Sequence, residues 1–109
     1  MSDYCMVMTT FETREQARAI AEGAVAGGLA ACAQQMEIES SYIWEGRLAT
    51  DPEILVIFKT RGDLYDALAE FIEARHPYEV PEIIKVPIED GSAGYLAWID
   101  EVTRARKEG

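Results

Sequence analysis

The segment from Glu53 to Thr60 is apolar on both faces of the strand that it predicts. Successive side chains of a strand point to opposite faces, so Ile54 and Val56 would point one way and Leu55 and Ile57 the other. A strand with one face in water alternates instead between apolar and polar residues. Both faces of this sheet must therefore be buried against other parts of the protein. Few folds of a short chain bury both faces of a sheet.

The rest of the chain predicts strands and helices in the order β-α-β-β-α-β, followed by one more helix. The predicted strands are Tyr4 to Thr10, Ala31 to Ile38 continuing at Tyr42 to Trp44 after a break near Glu39-Ser40, Glu53 to Thr60, and Glu82 to Ile88. The predicted helices carry the apolar stripes Ala17, Ile20, Ala21, Ala24 and Val25, then Leu64, Ala67, Leu68, Phe71 and Ile72, then Tyr95, Trp98, Ile99 and Val102. This order predicts an α+β fold, a ferredoxin-like βαββαβ sandwich with an extra C-terminal helix, as a single domain over residues 1–109.

Local signals predict where these elements begin and end. Thr13 and Gln16 form a capping box for the first helix, which Gly27-Gly28 ends. Glu45-Gly46-Arg47 indicates a turn between two strands, and Asp63 is the predicted N-cap of the second helix.

The second face of the sheet indicates an assembly of several chains. Two helices cover one face of a ferredoxin-like sheet, and a single short C-terminal helix is too small to cover the other. Large exposed apolar patches are rare on soluble monomers. We therefore expect an oligomer.

Composition excludes several classes of protein and partner. A formal net charge of −10 leaves no excess of cations to neutralise nucleic-acid phosphates. No stretch approaches the roughly 18 apolar residues of a membrane span. The start of the chain at Met1 lacks the basic region of a secretory signal, and Cys5 and Cys32, both in apolar segments, are predicted to be buried thiols. We expect a cytoplasmic protein with neither nucleic acid nor membrane as a partner.

The segment from His76 to Glu82 is the best candidate for a ligand site. It contains the only histidine, and its two prolines hold their neighbours in an extended conformation. His76 follows the second helical stripe and is therefore expected at a helix C-terminus. Its imidazole could serve as a helix cap or buried hydrogen-bond partner, as a metal ligand or in proton transfer.

Lys59 ends the central strand and has two interpretations. It could pair with Glu82 across the sheet or bind an anion in a cleft. His76, Tyr78, Glu82 and Lys59 would form an acid-base set if they converged. The sequence nevertheless does not favour an enzyme, because it has no phosphate-binding glycine loop, no spaced Cys/His cluster and no nucleophile evidently paired with the histidine.

The chain resembles the CutA divalent-cation tolerance proteins over roughly Tyr4 to Val102. The matching motifs are Leu29-Ala30-Ala31-Cys32, Ser41-Tyr42-Ile43-Trp44-Glu45-Gly46, Phe58-Lys59-Thr60, His76-Pro77-Tyr78-Glu79-Val80-Pro81-Glu82 and Gly94-Tyr95-Leu96-Ala97-Trp98-Ile99. The resemblance implies a ferredoxin-like subunit in a homotrimer whose sheets face inward. Tyr42 and Trp44 on the predicted hairpin are interpreted as interface residues, because aromatic side chains are enriched in interfaces, with ligand stacking as the alternative.

The same resemblance implies a role in tolerance of copper and other divalent ions. In bacterial relatives the proposed copper ligands are a cysteine and two histidines, and this chain has Thr9 and Arg75 at two of these positions. His76 remains, and we expect weak binding of divalent metal by His76 and Glu79, with no required cofactor. The alternative is a small-molecule sensor or scaffold that holds its ligand with Lys59, Tyr78 and Glu82 in a cleft between subunits.

Overall fold

Strands and helices follow one another in the predicted order, in a computed structural model that describes residues 3–104. The elements are β1 Tyr4–Phe11, α1 Arg14–Ala26, β2 Cys32–Trp44, β3 Arg47–Arg61, a 3-10 turn Gly62–Leu64, α2 Tyr65–Arg75, β4 Ile84–Ile88 and α3 Ala93–Val102. None of the helices in the described range is long and apolar enough to cross a membrane.

The four strands form one antiparallel sheet in the order β2-β3-β1-β4. Alternate residues of β1 and β3 face α1 and α2 and form the core between sheet and helices. The main contributors are Cys5, Val7 and Phe11 from β1, Ile54, Val56 and Phe58 from β3, Ala17, Ile20, Ala21 and Ala24 from α1, and Leu68 and Ile72 from α2. The predicted α+β, ferredoxin-like sandwich with an additional C-terminal helix is confirmed.

The central hairpin is longer and more regular than its sequence predicts. The expected break near Glu39-Ser40 is wrong, because β2 and β3 pair without interruption from Cys32↔Lys59 to Trp44↔Arg47. Pro52 lies inside β3 rather than before it. There β3 has extended beyond the end of β1 and is paired with β2 alone, which is where a sheet accepts proline.

The two-residue turn at the hairpin tip is as predicted. Glu45 and Gly46 both have positive φ, 50° and 77°, as a tight hairpin turn requires. Beyond the end of β1, β2 and β3 pair only with each other and form a two-stranded ribbon that projects from the sheet. This ribbon comprises residues 38–44 of β2 and 47–53 of β3 and is called the β2–β3 ribbon below.

The ends of the remaining elements were predicted with mixed success. The capping box of Thr13 and Gln16 is present. Asp63 is not the N-cap of α2: it lies in the 3-10 turn and pairs with Arg61, and α2 begins without a side-chain cap. Val25 is exposed rather than buried. The last strand begins at Ile84 instead of Glu82, because residues 81–83 lack regular strand pairing.

The second face of the sheet is only partly covered, by α3. Side chains on this face contact α3 at one end of the sheet, where Tyr4 Oη donates to Asp100 and Cys32 Sγ lies 3.5 Å from Tyr95 Oη. Farther along the same face Met36 and Ile84 remain exposed. The strands are apolar on both faces, as the sequence predicts, and in the single chain α3 covers only part of the second apolar face.

The two cysteines differ in burial, contrary to the sequence expectation. Cys5 is fully buried in the core, where desolvation raises the pKa of its thiol. Cys32 is half-buried and lies on the other face of the sheet, beneath α3. The prediction of a buried thiol is confirmed for Cys5 and is wrong for Cys32 in the single chain.

Thr9 provides a test of the core. Its side chain is completely buried, and among residues 3–104 its hydroxyl finds no hydrogen-bond partner. Thr9→Val should raise the free energy of unfolding by about 1 kcal/mol, because it removes an unpaired buried hydroxyl at nearly constant shape. Urea unfolding measures the change.

Thr60→Val is the matched control. Thr60 is equally buried, but its hydroxyl donates to the carbonyl of Leu29 at 2.8 Å. This second substitution should lower stability by about 1 kcal/mol, because it leaves that carbonyl without its donor. Equal losses in both variants would show that the Thr9 hydroxyl is satisfied after all.

Candidate functional site

The segment 76–82 connects the end of α2 to β4 and lies beside the end of β1. His76 is the C-cap of α2 and has an extended conformation, φ −73° and ψ 134°, as expected of a residue before proline. Its ring stacks on Phe11, with ring centroids 4.3 Å apart. The sequence correctly placed His76 at a helix C-terminus.

Both ring nitrogens of His76 are hydrogen bonded to backbone. Nδ1 accepts from the Tyr78 amide at 3.1 Å, so the ring proton lies on Nε2, which donates to the Thr10 carbonyl at 2.8 Å. The ring thereby ties the segment to β1. To bind a metal ion, His76 would have to break one of these two hydrogen bonds, which would weaken the binding. Metal ligation by His76 stays a prediction.

The surroundings of His76 favour the neutral imidazole. Burial lowers the pKa of His76 from its ordinary value, while the Thr10 carbonyl and the Glu53 carboxylate act in the opposite direction. The net direction is downward. At neutral pH the ring is therefore an uncharged hydrogen-bond partner.

Tyr78 links the segment to the β2–β3 ribbon. Its hydroxyl donates to a carboxylate oxygen of Glu53 at 2.9 Å. Burial, followed by this carboxylate, raises the pKa of Tyr78 far above its ordinary value. The phenol thus remains a donor at any physiological pH and fixes the orientation of Glu53.

A cleft of about 1150 Å³ lies between the ribbon and the segment 76–82. Its lining contains the carboxylates Glu12, Asp51, Glu53, Glu79 and Glu82. No lysine, arginine or histidine of the described chain lines it. The cleft is therefore strongly electronegative, and it favours a cation over an anion.

Aromatic side chains form the other part of the cleft lining, and they include Tyr42, Trp44 and Tyr78. Tyr42 Oη donates to Asp51 at 2.5 Å, and this hydrogen bond raises the pKa of Tyr42. Two tyrosines thus orient two carboxylates, because Tyr78 does the same for Glu53. No sequence signal pointed to Asp51 or Glu53 as site residues. The register of the ribbon would have shown that Tyr42 lies diagonally across from Asp51.

Lys59 does not take part in this cleft. Its ammonium group donates to Gln34 Oε1 at 2.7 Å and lies 5.9 Å from the ring centroid of Tyr95, beneath α3. Lys59 is therefore not paired with Glu82 in the structure. Three of the residues predicted to bind a ligand line this cleft, namely Tyr78, Glu79 and Glu82. His76 does not line it but contacts Tyr78, with ring centroids 4.8 Å apart. Lys59 lies under α3, outside the cleft.

The acidic side chains do not converge on one point within a single chain. Across residues 3–104, no three His, Cys, Asp or Glu side chains lie close enough together to hold a metal ion. The carboxylates are instead distributed along the cleft. Any chelate formed by one chain would have at most two of these ligands.

Comparison with known proteins connects this fold and cleft to one family. The family model described as CutA1 divalent ion tolerance protein matches residues 5–102. The chain is 43% identical over 100 residues to "Protein CutA 1, chloroplastic" of Oryza sativa, covering 91% of this chain and 56% of that protein. It is 39% identical over 99 residues to the "Divalent-cation tolerance protein CutA" of Pyrococcus horikoshii, covering 91% of this chain and 97% of the archaeal protein.

The solved structures agree with the sequence comparison. The crystal structure of CutA1 from Oryza sativa superposes with a TM-score of 0.92 at 40% identity, covering 96% of this chain and 97% of that one. The chain spans little more than half the length of the plant relative and nearly all of the archaeal one. The resemblance noted in the sequence is confirmed.

Proposed function

Because the chain belongs to the CutA1 divalent ion tolerance protein family, we propose that it acts in tolerance of, or response to, divalent metal ions, copper among them. In this proposal it works as a homotrimer that binds such ions weakly. The observation that supports it is the cleft lined with five carboxylates and no basic side chain of the described chain. Carboxylate oxygens bind divalent cations, and an electronegative cleft concentrates them.

The available ligands explain why binding should be weak. Copper prefers thiolate and imidazole, whereas the cleft offers oxygen. Neither residue at the two changed ligand positions replaces the lost ligand. Thr9 is buried in the core. The guanidinium carbon of Arg75 lies 4.0 Å from the ring centroid of Phe71. Since His76 already has two hydrogen bonds, Glu79 and its carboxylate neighbours make the main contribution. A full chelate then recruits a carboxylate from another subunit.

Titration calorimetry with Cu²⁺ tests this proposal. Wild-type protein should bind with a dissociation constant on the order of 10⁻⁴ M or weaker, as low-affinity oxygen sites do. Glu53→Gln and Glu82→Gln should each weaken binding about fivefold, because one charge contact in water contributes about 1 kcal/mol. Glu70→Gln, on the exposed face of α2, is the control and should have no effect. Tight binding abolished by His76→Ala would contradict the proposal.

The alternative function is a small-molecule sensor or scaffold, and the size of the cleft favours it. A volume of about 1150 Å³ with three aromatic side chains admits an organic molecule. Native mass spectrometry of freshly purified protein measures the assembly mass and any retained ligand together. A retained organic molecule, lost in Trp44→Ala while the assembly persists, would support this alternative over the metal-binding role.

We further propose a binding protein of the cytoplasm, which is not an enzyme and requires no cofactor. Two free thiols, Cys5 and Cys32, are consistent with a reducing compartment. The net charge of −10 disfavours nucleic acid and anionic membranes as partners. Fractionation of host cells with an antibody against the chain tests the compartment.

A further inference from the structure

Two carboxylates of the acidic cleft are each bound by a tyrosine hydroxyl. Tyr78 Oη donates to Glu53 Oε2 at 2.9 Å. On the ribbon, Tyr42 Oη donates to Asp51 Oδ2 in the same way. Within the described chain, the second oxygen of each carboxylate accepts no hydrogen bond. Glu53 and Asp51 therefore each have one open oxygen, and a cation that binds through both oxygens of either residue competes with a phenol.

Contacts within one chain fix the position of the Tyr78 phenol. The Tyr78 amide donates to His76 Nδ1 at 3.1 Å, and the centroids of the two rings lie 4.8 Å apart. Burial, followed by the Glu53 carboxylate, raises the pKa of Tyr78, so the phenol stays protonated and remains a donor. The bond to Glu53 joins two elements of the same chain, so each subunit of an assembly carries it.

The donor atoms of the chain do not fit a copper site in this cleft. Copper prefers thiolate and imidazole, and the chain has only one histidine and two cysteines. Both ring nitrogens of His76 are hydrogen bonded. Cys5 is buried in the core, and the Cys32 sulfur lies 3.5 Å from Tyr95 Oη under α3. Every subunit of a homotrimer has the same sequence, so a neighbour supplies only the same donors, and oxygen remains the main ligand.

The number of oxygens available to one ion separates magnesium from calcium. Ca²⁺ takes roughly six to eight oxygen ligands, often with bidentate carboxylates, whereas Mg²⁺ keeps several water molecules and binds through one or two carboxylates. No three His, Cys, Asp or Glu side chains of residues 3–104 lie close enough together to hold an ion. Carboxylates that bind through single oxygens, with water completing the shell, match the requirement of Mg²⁺ and fall short of that of Ca²⁺.

We propose that the cleft prefers a hydrated cation of the magnesium class, Mg²⁺ or Mn²⁺, over Ca²⁺, and that Tyr78 sets this preference by leaving Glu53 with one open oxygen. The inference rests on the proposed metal-binding role and names the class of ion for the same site. Tyr78 is a positioning residue, because it acts on the cation only through Glu53. Tyr42 acts on Asp51 in the same way.

Titration calorimetry of the assembled protein with MgCl₂ and CaCl₂, at constant ionic strength, tests the preference. Wild type should bind Mg²⁺ more tightly than Ca²⁺. Tyr78→Phe keeps the ring beside His76 but removes the phenol, so Glu53 gains a second open oxygen. This variant should bind Ca²⁺ about fivefold more tightly, the effect of one added charge contact in water, while its affinity for Mg²⁺ does not rise. A merely structural role of Tyr78 would change both affinities equally.

Tyr4→Phe is the matched control. It removes the bond from the Tyr4 hydroxyl to Asp100, which is also a phenol–carboxylate pair but lies under α3, outside the cleft. The ratio of the two affinities should stay as in wild type. Tyr42→Phe keeps the test valid if Tyr78→Phe does not fold, because it opens the second oxygen of Asp51.

Relaxation of water protons by Mn²⁺ provides a second readout. Mn²⁺ bound to wild type should enhance this relaxation, because water molecules remain in its coordination shell and exchange with solvent. Tighter binding of Ca²⁺ than of Mg²⁺ by wild type, or an unchanged ratio in Tyr78→Phe, would overturn the inference and leave the proposed function standing. Absence of saturable binding of Mg²⁺, Ca²⁺ and Cu²⁺ would refute the proposed function together with the inference.

Discussion

Leu48→Asp should convert the assembled protein into single chains at low micromolar concentration, while the sheet and helices outside the β2–β3 ribbon keep their fold. Leu48 is 74% exposed in the single chain, so the substitution removes little from the folded subunit. Burying a leucine in an interface contributes about 1.5–3 kcal/mol. Loss of this burial, together with the cost of desolvating a carboxylate, should raise the dissociation constant at least tenfold, since every 1.4 kcal/mol is about a factor of ten. Sedimentation equilibrium measures the change.

The reason lies in the two faces of the β2–β3 ribbon. Ile43 and Leu48 are direct partners on one face, and Tyr42 and Trp44 point to the other. Ile43 and Trp44 are 68% and 62% exposed. A two-stranded ribbon with apolar tips on both faces is not stable alone in water. We therefore expect the ribbon to lie between neighbouring subunits of a trimer.

Two further measurements complete this test. Trp44→Ala should weaken assembly more than it changes ligand affinity, as expected of an interface aromatic. Ala19→Asp, at an exposed position of α1, adds the same charge as Leu48→Asp and should leave the assembly intact. A stable wild-type monomer at low micromolar concentration would contradict the trimer itself.

Phe11→Ala should both destabilise the fold and release His76. Phe11 is fully buried and forms the surface on which the imidazole stacks. Removing a buried phenylalanine costs about 3–5 kcal/mol of unfolding free energy. The cavity also admits water to the ring, so the pKa of His76 should rise toward its ordinary value of about 6.5. Because the chain has only one histidine, NMR titration follows it directly.

Phe58→Ala separates the two effects. Phe58 is equally buried in the same core and has no ring contact with His76. The Phe58→Ala variant should lose about as much unfolding free energy as Phe11→Ala and leave the pKa of His76 unchanged. Phe11→Leu provides a milder variant if the alanine does not fold. An unchanged pKa of His76 in both Phe11 variants would show that the stacking does not desolvate the imidazole.

The lowered pKa of His76 also sets the direction of a pH effect. The unfolded chain binds the proton at higher pH than the folded one, so this contribution to stability is complete above about pH 6.5. It falls as the pH drops below that value toward the lower pKa of the folded state. The difference in stability between wild type and His76→Gln should therefore shrink on acidification.

Local sequence signals predicted much of the fold. The capping box at Thr13 and the turn at Glu45-Gly46 were correct, because each depends on residues within one turn of chain. Apolar periodicity predicted the element order and the two-sided strands, since side-chain direction follows directly from helix and strand geometry. The same patterns placed His76 at the end of α2.

The candidate site depended on contacts that no local pattern encodes. Glu53 contacts Tyr78 because the ribbon extends past β1. The sequence prediction missed this extension, because it began the strand after Pro52. Lys59 meets Gln34 rather than Glu82, because β2 is its neighbour in the sheet. Asp63 pairs with Arg61 instead of capping α2, since the buried guanidinium requires an anion. The sequence alone determined which elements form. Strand register and packing decided which distant side chains meet, because those contacts join residues that only the folded sheet brings together.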